Sequence, residues 1–212
     1  RGKLYKAVSK KGSVVEFTAQ NEQTLTRWIL GILKTEGKMI TSGAMKQFLE
    51  KTGTDMERIR QELEKLICYC MEKESITEED VAVICSEQTD NKIFDMINAM
   101  AEKKQKKAME LYYDLLALKE PPMRILYLIT RQFNLLMQVK ELSEEGYSAK
   151  TISERLKMAG FIVRNCLRQA EYFSLKTLKE ALQDCVRMEE AVKTGRMNDV
   201  MSVELLLVKY SS

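Results

Sequence analysis

Residues 53–69 read Gly53-Thr54-Asp55-Met56-Glu57-Arg58-Ile59-Arg60-Gln61-Glu62-Leu63-Glu64-Lys65-Leu66-Ile67-Cys68-Tyr69. Asp55 stands where a side-chain oxygen caps a helix, and Met56, Ile59, Leu63, Leu66 and Ile67 recur at spacings of three and four. The stretch is an amphipathic helix with one apolar face. Glu62, Glu64, Arg58, Arg60 and Lys65 are assigned to the charged outer face. Nothing in it is chemical, but its pattern repeats along nearly the whole chain.

Working outward, helices are expected at about 22–36, 42–52, 55–71 and 77–85, separated by loops carrying Gly37, Gly53 and Ser75. Thr77-Glu78-Glu79-Asp80 is a cap with acidic groups at the helix's positive end. A second set is expected at 92–102, 105–118, 122–145, 149–157, 161–172, 175–193 and 199–210. Pro121 and Pro122 are the only prolines, and Pro122 suits a first helical turn. Gly195 marks a stop after Lys193. Val14-Val15-Glu16-Phe17 reads as one short strand, the remnant of a sheet in a longer protein. A break near Thr89-Asp90-Asn91 divides the two helical sets.

The helix from Pro122 carries one stripe of Ile125, Ile129, Phe133 and Leu136 and a second of Leu128, Leu135, Val139 and Leu142. The last helix is apolar nearly all round, with Val200, Met201, Val203, Leu205, Leu206, Leu207 and Val208. Helices of this kind are either central in a bundle or buried partly against another chain. At least one apolar face is expected to meet a partner.

Composition excludes several classes. The 34 basic and 31 acidic groups leave a net charge of only +3, which argues against a dedicated polyanion binder. No run approaches the roughly 18 apolar residues of a membrane helix. The chain has no histidine, which removes Ser-His and Cys-His catalysis. Cys68, Cys70, Cys85, Cys166 and Cys185 form no Cys-x-x-Cys pair and read as reduced, buried thiols of a cytoplasmic protein. No metal or cofactor site is read. Gly31 to Gly37, followed by Lys38 and Met39, mimics a phosphate loop but has the wrong spacing, and lacks the Ser or Thr that would bind magnesium. The glutamate pairs fall on solvated helix faces. Lys103-Lys104-Gln105-Lys106-Lys107 reads as a solvated helix junction, with phosphate contact as the other reading.

The segment 149–170 imitates a helix-turn-helix around Gly160. Arg164, Asn165, Arg168 and Gln169 could then reach base edges, making the chain a DNA-binding regulator. Leu156 counts against this, because such motifs need a small residue there. A plain helical hairpin is the other reading.

Taken in order, Glu62-Leu63-Glu64-Lys65-Leu66, Ile76-Thr77-Glu78-Glu79-Asp80-Val81, Ile93-Phe94-Asp95, Glu120-Pro121-Pro122, Arg131-Gln132-Phe133, Gln169-Ala170 and Lys193-Thr194-Gly195 resemble successive landmarks of one family. That family is the delta subunit of the bacterial DNA polymerase III clamp loader. The likeness runs over essentially the whole chain. It implies an all-α fold, with residues 1–20 the remnant of a preceding α/β domain, 21–90 a small helical lid domain of the AAA+ type, and 91–212 a helical-bundle collar domain that mediates oligomerisation.

The resemblance also implies a non-catalytic subunit, since companion subunits hydrolyse ATP while the sliding clamp is loaded on primed DNA. The expected partners are the gamma/tau and delta prime subunits, with the clamp itself reached through a further N-terminal domain. Contact with neighbouring subunits is expected at Ile125, Leu128, Arg131, Gln132, Phe133, Leu136, Lys193, Leu205 and Leu207. A catalytic sibling from the same assembly is a third reading, and a phosphate loop further upstream would favour it.

Overall fold

The computed structural model describes residues 2–15, 20–85 and 89–211. Twelve helices occur among them: α1 Lys3–Lys11, α2 Glu22–Thr35, α3 Ser42–Thr52, α4 Met56–Tyr69, α5 Glu78–Ile84, α6 Thr89–Ala101, α7 Gln105–Ala117, α8 Pro122–Glu144, α9 Ala149–Leu156, α10 Gly160–Ala170, α11 Leu175–Lys193 and α12 Asp199–Ser211. The all-helical expectation holds, and the helix ends follow the signals read from the sequence. Asp55 accepts the Arg58 N–H at 2.9 Å. Thr77 and Asp80 form a reciprocal capping box. Pro122 opens α8, and Gly195 follows α11 with φ +70°.

The start of the chain differs. Val14 and Val15 are exposed and carry no regular structure, while Glu16 and Phe17 of the expected strand lie outside the described residues. The lysine-rich stretch before them is helix α1, none of whose residues is buried. Residues 3–11 contain no breaker, and the helix stops at Gly12. The strands sit elsewhere: β1 (Met39–Ile40) pairs in parallel with β2 (Ser75–Ile76). Two-residue strands are too short to show a period of two in sequence.

The buried side chains form two clusters. One joins α2 through α5, with Leu25, Ile29, Phe48, Ile59, Leu63 and Leu66 nearly inaccessible. The predicted stripe of α4 is thus its packing face, although Met56 at its first turn is exposed. Glu62 corrects the reading of the outer face. It is 7% exposed and pairs with Lys65 at 2.6 Å.

The other cluster spans α6 through α12. Helix α8 lies at its centre, packed on α6, α9, α10, α11 and α12. Both apolar stripes of α8 are used there. Leu126, Leu128, Ile129 and Val139 are buried together with Ile125, Phe133 and Leu136. Phe133 meets Phe173 edge-on at 6.0 Å between ring centroids. Of the two positions open to such a helix, α8 takes the central one. No described helix is long and apolar enough to cross a membrane.

Candidate assembly surface

Helix α12 packs against α6, α7, α8 and α11, and its inward face is Val203, Leu206, Leu207 and Tyr210. Its position is fixed by polar contacts as well. Asp184 of α11 is buried and accepts from the Tyr210 hydroxyl at 2.7 Å and the Lys209 ammonium at 2.5 Å. Arg187 approaches its other oxygen at 3.3 Å. Burial alone would raise the Asp184 pKa, but the Lys209 and Tyr210 bonds outweigh it and the carboxyl ends below its ordinary value. At the other end of α12, the buried Tyr112 of α7 donates to the Val200 carbonyl at 3.2 Å.

Held in this way, α12 turns Met201, Leu205 and Val208 outward, exposed by 52%, 44% and 38%. Their spacing of four and three residues makes one stripe. Tyr113 of α7 stands beside it and donates to Glu204 at 2.8 Å. This is a rigidly backed apolar strip on the surface of the second cluster.

The nine residues expected at a subunit contact are distributed differently. Ile125, Phe133, Leu136 and Leu207 are completely buried, and Leu128 nearly so, within this chain's own core. They offer no surface to a neighbour, because a central helix spends its apolar faces on its own bundle. Gln132 is half-buried and turned inward, donating to Gln169 at 2.7 Å. Arg131 and Lys193 are exposed, and Lys193 pairs with Glu189. Leu205 is the apolar member of the group that faces outward. Met201 and Val208, exposed beside it, were not singled out, since a helix apolar all round does not reveal in sequence which side is covered.

The DNA-reading alternative is not supported. Gln169 is 1% exposed, and its amide donates to the Phe94 carbonyl at 2.9 Å and to Asn98 at 2.7 Å. It ties α10 to α6 and is shut off from any base. Arg164 pairs with Glu22 at 3.3 Å, and Arg168 donates to Asn165. The phosphate-loop mimic is likewise structural. Lys38 donates to the carbonyls of Cys70, Met71 and Lys73 at 2.7–2.8 Å, filling the role of a cap on the end of α4. In the basic run, Lys104 pairs with Glu102 at 2.7 Å and Lys106 approaches Glu110 at 3.9 Å, as at a solvated junction. No cluster of potential metal ligands occurs among the described residues.

A family model described as DNA polymerase III delta subunit, C-terminal domain, matches residues 90–210. The chain is 31% identical over 209 residues to the DNA polymerase III subunit delta of Bacillus subtilis (strain 168), covering 99% of this chain and 60% of that protein. It is 24% identical over 142 residues to the probable DNA polymerase III subunit delta of Aquifex aeolicus (strain VF5), covering 66% of this chain and 41% of the relative. The solved structure of the Bacillus subtilis DNA clamp loader delta protein superposes with a TM-score of 0.80 at 31% identity, covering 100% of this chain and 62% of that one. The chain therefore spans about three fifths of the length of the Bacillus subtilis relative. With the family model matching more than half of its residues and the fold shared from end to end, this chain belongs to the DNA polymerase III delta subunit family.

Proposed function

We propose that the chain is the assembly portion of a non-catalytic clamp-loader subunit, acting in DNA replication in the cytoplasm. The observation that carries this reading is the Met201–Leu205–Val208 stripe. It is exposed, contiguous and backed by a helix that Asp184 and Tyr112 hold in place. A rigid apolar strip costs little ordering entropy when it is covered, which suits a lasting subunit contact. Residues 91–212, with their own buried cluster, form the collar that meets the gamma/tau and delta prime subunits. Residues 21–90, with the other cluster, form the lid. Residues 1–20 belong with a preceding domain that reaches the sliding clamp, and primed DNA is met only in the assembled complex. Companion subunits supply ATP hydrolysis.

The test is co-elution of this chain with the companion clamp-loader subunits on a sizing column, at low and at high salt. A complex that survives high salt and is lost with Leu205→Asp supports assembly through the α12 stripe. A folded chain that elutes alone under both conditions refutes it.

A further inference from the structure

The two clusters face each other across a cleft of about 390 Å³, walled by Gln47 and Lys51 of α3 on one side and by Leu128, Phe161 and Arg168 on the other. Among the described residues, no helix of the first cluster packs extensively along a helix of the second. Two contacts of different chemistry join the clusters.

At one rim the junction is stitched to the last turn of α3. Asn91 of α6 donates through its side chain to the Glu50 carbonyl at 2.9 Å and lies 3.4 Å from that of Lys51. Both carbonyls belong to a helix end, which leaves them without helical partners. The Lys51 ammonium reaches the other way, to the carbonyls of Ala82 and Cys85 at 3.0 Å each. The ends of α3 and α5 and the start of α6 are thereby tied together.

Elsewhere between the clusters stands an ion pair of partly exposed side chains: Arg164 of α10, the helix whose Phe161, Asn165 and Arg168 line the cleft, meets Glu22 of α2 at 3.3 Å. Gly160 leaves room for it. A Cβ at that position would lie 3.2 Å from the Arg164 guanidinium and 3.9 Å from the Glu22 carboxylate.

We propose that this pair is a latch: the two units swing about the stitched end of α3, and the cleft opens when Arg164 and Glu22 part. An exposed ion pair favours the closed state by only roughly two- to five-fold, so it biases the angle between the units without locking it. Added salt shortens the range of the attraction to about 3 Å near 1 M and releases the latch. A partner that offers either side chain a better counter-ion does the same. The inference goes beyond the assembly role and rests on treating the two clusters as separate units.

The experiment places spin labels at Lys46→Cys on α3 and Glu154→Cys on α9, with Cys68→Ser removing the exposed thiol, and measures the label-to-label distance distribution. The full chain is compared with Glu22→Gln, Arg164→Gln and Arg164→Lys. A distribution weighted towards the short distance at low salt is expected to shift weight to longer distances near 1 M salt, and likewise in both glutamine variants. Arg164→Lys keeps the charge and should keep the short distance at low salt. Distributions that stay the same through salt and both glutamine variants overturn the latch. Calorimetry on the same samples separates the premises. A single transition in which both clusters melt together refutes separate units, whereas two transitions with unmoved distances refute the latch alone.

Discussion

Lys73 holds the carboxylate of Asp80 at 2.6 Å across the turn between α4 and α5, although Asp80 itself is only 3% exposed. The other carboxylate oxygen accepts from the Thr77 amide and hydroxyl, each at 2.9 Å. One side chain therefore caps α5 and ties it to the end of α4. The Lys73 bond first, and then the Thr77 amide, hold the Asp80 pKa down to about 2 from an ordinary 3.8.

A depressed carboxylate stabilises the fold above its unfolded pKa, and the contribution disappears as pH falls through the folded value. The window here runs from about pH 4 to about pH 2. Its size is about 1–2 kcal/mol, after discounting for the solvent around the half-exposed Lys73. Asp80→Asn should lose that amount at neutral pH and flatten the acid limb of the stability curve. Urea titrations of both proteins across the window check this, and an acid limb of unchanged steepness in the variant would contradict it.

The Asp184 network makes a parallel prediction for α12. Tyr210→Phe removes one hydrogen bond to a buried carboxylate and should cost about 1–2 kcal/mol. Asp184→Ala leaves the Tyr210 hydroxyl unpaired and should cost about 2–3 kcal/mol, short of a fully buried ion pair because Lys209 is half in solvent. The double variant should cost less than the sum of the two, because the residues share one interaction. Strict additivity in denaturant titrations would show that the hydrogen bond does not hold the helix.

The thiols separate by exposure. Cys68 is exposed, whereas Cys70, Cys85, Cys166 and Cys185 are buried. Burial pushes the last three up to about 11. Since the thiolate is the reacting form, these groups are slow twice over, by access and by protonation. A thiol reagent at pH 8 should label one group quickly and the other four only as the chain unfolds. Rapid native labelling of a second cysteine would place one of the four outside the core.

Local structure was largely legible because its causes are local. Asp55, Thr77, Pro122 and Gly195 mark helix ends through their own side chains or backbone, so the boundaries could be read without any tertiary information. Sidedness was legible only where one face is polar. Helix α4 shows its stripe, but α8 and α12 are apolar on several faces, and only packing decides which are covered. Phe133 and Leu207 therefore looked available to a partner and are core. Gln169 looked like a polar reader and is a buried tie, because the residues that satisfy it, Phe94, Asn98 and Gln132, come from helices distant in sequence. The Asp184 network is hidden for the same reason, since its partners lie 25 and 26 residues away.

Neighbouring residues of α12 give the sharpest contrast between fold and assembly. Leu207 is completely buried and Leu205 is 44% exposed. Leu207→Ala deletes core packing and should destabilise the chain by about 2–5 kcal/mol. Leu205→Asp, already half in water, should change stability by no more than about 0.5 kcal/mol. In a complex assembled through the α12 stripe the order should reverse. A carboxylate in the middle of a covered apolar strip must be desolvated without a partner, so Leu205→Asp should weaken subunit association at least tenfold, by about 1.4 kcal/mol or more. Val208→Asp should act in the same way, while Val186→Asp, exposed on α11 outside the α12 stripe, serves as the control. Sedimentation or sizing with the companion subunits measures association, and denaturant unfolding measures stability. If Leu205→Asp associates like the parent chain, the α12 stripe is ordinary surface, and the contact must lie on another exposed group such as Tyr127 or Tyr172.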